Sequence, residues 1–265
     1  MRGMSRRRGG ALLLALFLFS LALLIPGANA TWHGGKALVL YRVPADGWVQ
    51  YNYKDSHFWS KFRTEIENQG WDVDYGRHVN ASLLSRYDAL FVLTPVKDIP
   101  DEEAQAIIEW VKKGGQIVIT QNYTQNFANE ITDEFGIHFN GHGGKHVYID
   151  NFTSHPLTDG ITRVHLVETH KIYVGGMSEG IAWNRKGECL IAVNDSAGKG
   201  LVVAIGDNEL WLNQYFDDYD NKKFLDNILA YFWNTCSVPE FSTETLVVPV
   251  LSLLGVVLLL HRKKR

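Results

Sequence analysis

The sequence predicts an α/β fold with a central, mainly parallel sheet and an added β-rich segment near residues 137–195. Three observations predict it. Residues 87–120 hold two short apolar runs, Ala89–Leu93 and Gln116–Thr120, on either side of a helical stretch; strand, helix, strand in about 34 residues is a βαβ unit with parallel strands. Two more short apolar runs, Lys36–Arg42 and Leu201–Ile205, read as further buried strands. Phe224, Leu225, Ile228, Leu229 and Phe232 recur at three-to-four spacing, the buried stripe of a closing helix over Asn221–Trp233.

The elements follow in order. After the first strand, Val43–Tyr53 is a long aromatic loop. Ser56–Gln69 is a helix with Phe58, Trp59, Phe62 and Ile66 on one face and Gly70 as its stop. Trp71–Tyr75 alternates polar and apolar residues and suits an edge strand. A short helix near Leu83–Leu84 precedes the βαβ unit. That unit's helix opens on Pro100-Asp101-Glu102-Glu103 and closes on Lys112-Lys113-Gly114, with charges that complement the helix dipole. A helix over about 126–135 stops at Gly136. Asn140–Gly144, with its glycines, reads as a loop, and three short strands follow near 146–149, 164–168 and 172–174. Ile181–Asn184 and Glu188–Val193 form a hairpin, and Gly198–Gly200 turns into the last strand.

Both ends read as addressing segments. Residues 1–30 combine Arg2 and Arg6–Arg8, an apolar run and Ala28-Asn29-Ala30, the three parts of a secretory signal. Residues 237–245 form a linker containing Pro239, Glu240 and Phe241. Residues 246–265 hold an apolar segment and the basic tail Arg262–Arg265. The apolar segment is shorter than the roughly 20 residues of a comfortable span, yet can cross if the basic cluster snorkels, with the cations on the cytoplasmic side. The domain between, residues 31–236, is then extracellular. Outside the two ends, 18 cationic and 27 anionic residues remain, a formal net charge of −9. Such a surface is a poor nucleic-acid binder, because phosphate contacts need Lys and Arg. Cys189 lies in a strand and Cys236 ends the last helix, and no disulfide is expected between them. Asn80, Asn122, Asn151 and Asn194 each open an Asn-x-Ser/Thr sequon, a glycosylation candidate on an exported chain.

The motifs, taken in order, resemble a known family. Tyr87–Val92, Asp101–Glu103 with Trp110–Val118, Asn129-Glu130 with Phe135–Phe139, His155–Ile161 and Gly198–Asp207 resemble the class I glutamine amidotransferase-like superfamily, in its exported, non-amidotransferase branch. The resemblance covers about residues 36–233 and implies a flavodoxin-like, three-layer fold. It also implies that catalytic members carry a Cys at the turn after the strand equivalent to Gln116–Thr120. Here that turn reads Gln121-Asn122-Tyr123, and the downstream His-x-Glu pair is absent. Neither Gln nor Asn is a nucleophile for acyl transfer. Separately, Pro239-Glu240-Phe241, the short span and the basic tail resemble the PEF-CTERM sorting signal of archaeal surface proteins. That implies an archaeosortase-type processing enzyme that replaces the span with another anchor.

Several other chemistries are weighed on residue pattern. His138, His142 and His146, with Asp150 and His155 nearby, are metal candidates only if they converge, and the glycines among them exclude the helix that would align them. Asp217, Asp218 and Asp220 lack the glycine and glutamate of a calcium loop; Asp220 or Asn221 more simply caps the last helix. His142–Lys145 and Gly198–Gly200 fit no phosphate-binding fingerprint, and no cofactor is expected. In an open parallel sheet, ligands bind beyond the carboxyl ends of the strands. The segments leaving those ends supply the ligand-binding candidates Arg42, Trp48, Thr94, Gln121, Asn122, Asp207, Asn208, Glu209 and Trp211; the alternative for the aromatics is packing, with Trp211 and Tyr215 holding the last helix on the sheet and Trp48 covering the first strand.

The expectation is therefore a non-catalytic cell-surface binding or scaffold protein, with a glycan, a peptide or an envelope protein at the carboxyl edge of the sheet. The alternatives are a metal-dependent hydrolase using the histidine-rich segment and a structural component of an envelope or export complex.

Overall fold

The computed structural model describes residues 34–40, 58–93, 99–121 and 127–236. The elements run β1 (Lys36–Leu40), α1 (Ser60–Asn68), β2 (Asp72–Gly76), α2 (Ala81–Leu84), β3 (Ala89–Val92), α3 (Asp101–Lys112), β4 (Gln116–Thr120), α4 (Asn129–Thr132), β5 (Ile137–Ile149), β6 (Asn151–Phe152), β7 (Val164–Val174), β8 (Glu179–Trp183), β9 (Cys189–Ala197), β10 (Gly200–Ile205) and α5 (Asn221–Cys236).

Eight strands make one sheet in the order β2-β1-β3-β4-β10-β9-β8-β6. The first five are parallel to one another; β9, β8 and β6 add on antiparallel. The βαβ unit read from residues 87–120 is present, with β3 and β4 adjacent and in register from Ala89 opposite Gln116. Trp71–Tyr75 becomes the edge strand β2.

Alternate residues of each central strand face opposite layers. Val39, Phe91, Val118 and Val203 pack against Phe62 and Ile66 of α1 and Phe224, Leu225, Ile228 and Phe232 of α5. Leu38, Leu90, Ile117 and Val202 pack against Leu84 of α2, Ile107, Ile108 and Val111 of α3, and Ile131 of α4. Helices on both faces of a mainly parallel sheet give the flavodoxin-like, three-layer arrangement. Cys189 is a free, buried thiol whose pKa burial pushes up to about 12.

The added β-rich segment differs from expectation in its center. Residues 140–144 are not a loop, and the short strands near 146–149, 164–168 and 172–174 are parts of two long ones. β5 and β7 form a separate antiparallel ribbon from Ile137 opposite Val174 to Ile149 opposite Val164. The glycines are absorbed as irregularities in the ladder between Phe139 and Gly144, with Gly141 at φ 87° and Gly144 at φ 130°. Only glycine takes such angles without penalty, so the run bends the strand without ending it.

Asp220 precedes the last helix and its carbonyl accepts the Phe224 N–H at 2.8 Å. Its carboxylate accepts the backbone N–H groups of Thr162 and Arg163 and the Thr162 hydroxyl. Asn221 is fully buried; its amide accepts the His165 N–H and donates to the carbonyls of His165, Leu210 and Tyr215.

Candidate functional site

β4 and β10 end side by side, Thr120 opposite Ile205. Beyond them, Gln121 continues the ladder by donating its backbone N–H to the Ile205 carbonyl at 3.1 Å. Its side chain is wholly buried; Oε1 accepts the Ala128 N–H at 3.0 Å, and Nε2 has no partner among the described residues. This is the place where the amidotransferase resemblance puts a nucleophile, and it holds an amide that seats the start of α4.

β10 leads into Asp207-Asn208-Glu209. Asp207 is wholly buried, with Oδ2 accepting the Val167 N–H at 2.9 Å and Oδ1 accepting the Glu209 N–H at 3.0 Å. Burial pushes its carboxyl up to about 6, against the opposing pull of the backbone N–H groups of Val167, Glu209 and Glu168 and of the nearby His165. Glu209 is half-buried, and burial first, then the charges of Asp207 and Glu168, push it up to about 7. Lys145 opposes that shift and pairs with Glu168 at 2.6 Å. Asn208 is wholly buried, with neither Oδ1 nor Nδ2 partnered among the described residues. An unpartnered buried amide costs roughly 1–3 kcal/mol, so this edge holds polar capacity that the described residues leave unused.

The β5–β7 ribbon crosses this edge. Val167 reaches it through Asp207, and the His170 N–H donates to the Gly206 carbonyl at 2.6 Å. Nearby, His165 is buried, its Nδ1 bonded to Asp218 at 2.8 Å and its Nε2 facing His146 Nδ1 at 3.2 Å. Tyr148 stacks on the His165 ring at 4.5 Å, and Tyr215 meets that ring edge-on at 5.5 Å. Burial, then the charges of Glu209, Asp207 and Asp218, hold the Tyr215 hydroxyl above its ordinary pKa. The carboxyl groups of Asp207 and Glu209 and the cluster of His146, His165, Asp218, Tyr148 and Tyr215 thus lie close to the same ribbon, Asp207 and His165 buried and Tyr148 exposed.

The expected site residues separate into groups. Gln121, Asp207, Asn208 and Glu209 do gather at the carboxyl edge. Trp211 does not line it: it is wholly buried, stacked on Phe62 and on Phe224 in the α1/α5 layer. Arg42, Trp48, Thr94 and Asn122 lie outside the described residues, as do Pro239, Glu240 and Phe241. The three histidines do not converge. His138 bonds Asp133 at 2.7 Å, His142 lies opposite His170, and His146 meets His165. A spacing of four along an extended strand separates residues by about 13 Å, too far to share one ion. Among the described residues no group of three or more His, Cys, Asp or Glu is placed to hold a metal ion. His155 instead caps a 3-10 turn through Leu157 and bonds Asp195 at 3.1 Å. That bond first, with the Tyr231 hydroxyl, holds Asp195 below the usual carboxylate range.

Of the sequons, Asn80 is exposed and caps α2 through Oδ1, a bond that leaves its Nδ2 uninvolved, and Asn151 is exposed in β6. Asn194 is buried and spends its Nδ2 on the Phe135 carbonyl and the Ser178 hydroxyl. Tyr148 and His165 carry no signal in the residue order. Their pairing with Asp218 and Tyr219 joins positions more than 50 residues apart, and no local pattern announces it.

Solved structures share this fold at low identity. The mmIFT52 N-terminal domain is 12% identical and aligns over 74% of this chain and 96% of that one, with TM-score 0.61. A ThuA-like protein from Bacteroides uniformis is 13% identical over 81% of this chain and 96% of that one, with TM-score 0.55. A GMP synthase component from Thermoplasma acidophilum is 11% identical over 76% and 94%, with TM-score 0.52. These likenesses establish the flavodoxin-like fold. No curated protein matches the chain. The model of the domain of unknown function DUF4350 matches residues 59–229, most of the chain, and the protein belongs to that family.

Proposed function

We propose that this domain is a non-catalytic binding or scaffold module whose ligand face is the carboxyl edge of the sheet. The observation that carries this reading is Gln121. It stands in the nucleophile's place, wholly buried, with its carbonyl oxygen committed to the Ala128 N–H. Asp207, in the segment that leaves the neighboring strand β10, is likewise committed to backbone N–H groups. The amides of Gln121 and Asn208 are wholly buried yet leave hydrogen-bonding capacity unused at this edge, and half-buried Glu209 beside them is the side chain through which a polar ligand gains access to it. A glycan or peptide fits that chemistry, since both present hydroxyl or amide groups to planar side chains and aromatic faces.

The address of the domain is part of the same proposal. The secretory-type segment at residues 1–30, the apolar and basic tail after Thr245 and the Pro239-Glu240-Phe241 motif support export and attachment at a cell surface, by the span itself or by an archaeosortase-type replacement anchor. Both end segments lie outside the described residues, among which no helix is long and apolar enough to cross a membrane.

The test is an array of glycans and peptides probed with the full chain, alongside assays for glutamine amide hydrolysis. The expected result is retention of at least one ligand class with no turnover. Turnover of an amide substrate, or no retained ligand, overturns the reading.

A further inference from the structure

We infer that the binding surface extends from the carboxyl edge onto the β5–β7 ribbon, and that the cleft beside Tyr148 takes an acidic saccharide, a sugar ring bearing a carboxylate. The inference rests on the binding reading above and names its ligand class.

The cleft encloses about 300 Å³ between β5 and the turn joining β8 to β9, bounded by Gly143, His146, Tyr148, Asn184, Arg185 and Lys186. That volume is at the small end of ligand pockets, roughly 300–1,000 Å³, and suits one or two sugar rings. The turn is a built feature. Buried Asn184 fastens it, accepting the N–H groups of Lys186 and Glu188 and donating to the Gly143 carbonyl and the Glu188 carboxylate. Arg185 and Lys186 are thereby held outward at the mouth.

Charge favors an anion. Asp150 is shared between Arg163 at 3.7 Å and Arg185 at 3.6 Å. The cleft's own lining carries Arg185 and Lys186 and no carboxylate, on a domain whose formal net charge is −9. The aromatic surface favors a ring. Tyr148 is 42% exposed although it stacks on His165, and it meets Tyr219, 57% exposed, edge-on at 5.5 Å. Arg163 lies over the Tyr219 ring at 5.3 Å. Large aromatics kept at the surface beside polar groups are the usual face for sugar stacking.

Backbone strain falls in the same place. His146 at φ 47° and Tyr219 at φ 48° are the two non-glycine residues with positive φ among the described residues. His165 and Tyr148 join them: His165 stacks on His146 at 5.4 Å and on Tyr148 at 4.5 Å, and Tyr148 meets Tyr219. Left-handed backbone at bulky residues persists where the surroundings over-determine it, and it clusters at binding sites. A peptide added as a strand is the less suitable occupant, because the ladder irregularities between Phe139 and Gly144 break the regular edge it would need.

The full chain is titrated with tetragalacturonate, with a neutral tetrasaccharide and with an acidic peptide, beside the variants Tyr148→Ala, Tyr148→Phe, Asn208→Ala and the double variant Arg185→Glu/Lys186→Glu, each checked for an unchanged melting profile. Tetragalacturonate is expected to bind at least about tenfold tighter than the neutral sugar. Tyr148→Ala and the double charge variant each weaken it by about tenfold or more, Tyr148→Phe retains most of the affinity, and added salt reduces the preference. Equal or tighter binding of the neutral sugar or the peptide, or tetragalacturonate binding indifferent to Tyr148→Ala and to charge reversal, overturns the inference. If such binding is instead lost in Asn208→Ala, the carboxyl-edge reading survives alone; if none of the three probes binds, the inference falls, and the array result decides the wider reading.

Discussion

The carboxylate of Asp207 accepts the backbone N–H of Val167 at 2.9 Å, tying the end of the last sheet strand to the ribbon that crosses it. One buried acid therefore joins the two β structures of the domain, and it does so while held toward its protonated form by burial.

That arrangement sets a pH dependence. The Asp207 carboxyl moves from its ordinary 3.8 to about 6 in the fold. Between those values the folded state holds a proton that the unfolded chain has released. Stability is therefore full below about pH 4 and falls as pH rises to about 6, by roughly 3 kcal/mol as an upper figure. Glu209, raised to about 7, continues the trend with a smaller effect because it is partly solvated. In urea unfolding from pH 4 to 7, Asp207→Asn is expected to flatten the slope, at a constant cost from losing an acceptor for Val167 or Glu209. Parallel pH profiles for wild type and variant would contradict this.

Asn208→Ala is expected to behave unlike most buried substitutions. Both polar atoms of Asn208 are buried without partners among the described residues. Removing them relieves a desolvation cost of roughly 1–3 kcal/mol, which offsets the small cavity. The melting temperature should stay level or rise. A large fall would show that Asn208 is satisfied in the folded protein.

Trp211→Ala should act on stability and not on a ligand contact. Trp211 is wholly buried and stacked on Phe62 and Phe224, and its indole N–H donates to the Asn221 carbonyl. Truncating a buried aromatic costs roughly 3–5 kcal/mol. A variant of native stability that has lost ligand affinity would return Trp211 to the binding face.

Cysteine chemistry offers a direct check on the missing nucleophile. Gln121→Cys places a thiol where the amidotransferase resemblance implies a nucleophile, but in a wholly buried site bounded by the Ala128 N–H. Iodoacetamide is expected to label neither the introduced thiol nor Cys189 in native protein, and both in urea, read by peptide mass spectrometry. Native labeling at position 121, with amide turnover, would mean that the elbow is intact.

Glycan occupancy separates the sequons. In a glycosylating host, occupancy is expected at Asn80 and Asn151, which are exposed, and not at Asn194, whose Nδ2 is spent inside the fold. A glycan found on Asn194 in folded protein would contradict the packing around Phe135 and Ser178.

Most of the fold is legible in residue order. The buried runs at β1, β3, β4 and β10 are short and apolar throughout, because helices cover both faces, and the α3 and α5 stripes follow helical period. The ribbon is not legible, because Gly141, Gly143 and Gly144 carry the signature of a loop and are absorbed as strand irregularities by pairing with residues 169–172. The acids and amides of the carboxyl edge are legible as types in place, since the sheet topology puts Gln121 beside the start of Asp207–Glu209. Trp211 reads either way, because it stands between apolar Leu210 and Leu212 in a segment otherwise rich in acids and amides; the turn of 3-10 helix at Glu209–Trp211 places it in the core with both leucines. The Tyr148, His165 and Asp218 cluster depends on contacts that no window of sequence contains.

The central claim is that this edge binds a polar ligand and does no chemistry. The most direct measurement is a calorimetric titration of the full chain, and of Asn208→Ala at matched stability, with the ligand class retained on the array. The account predicts saturable binding by the wild type, a loss of about tenfold or more in the variant, and no product in the cell after the titration. Equal affinities for the two proteins, or accumulation of a hydrolysed product, would contradict it.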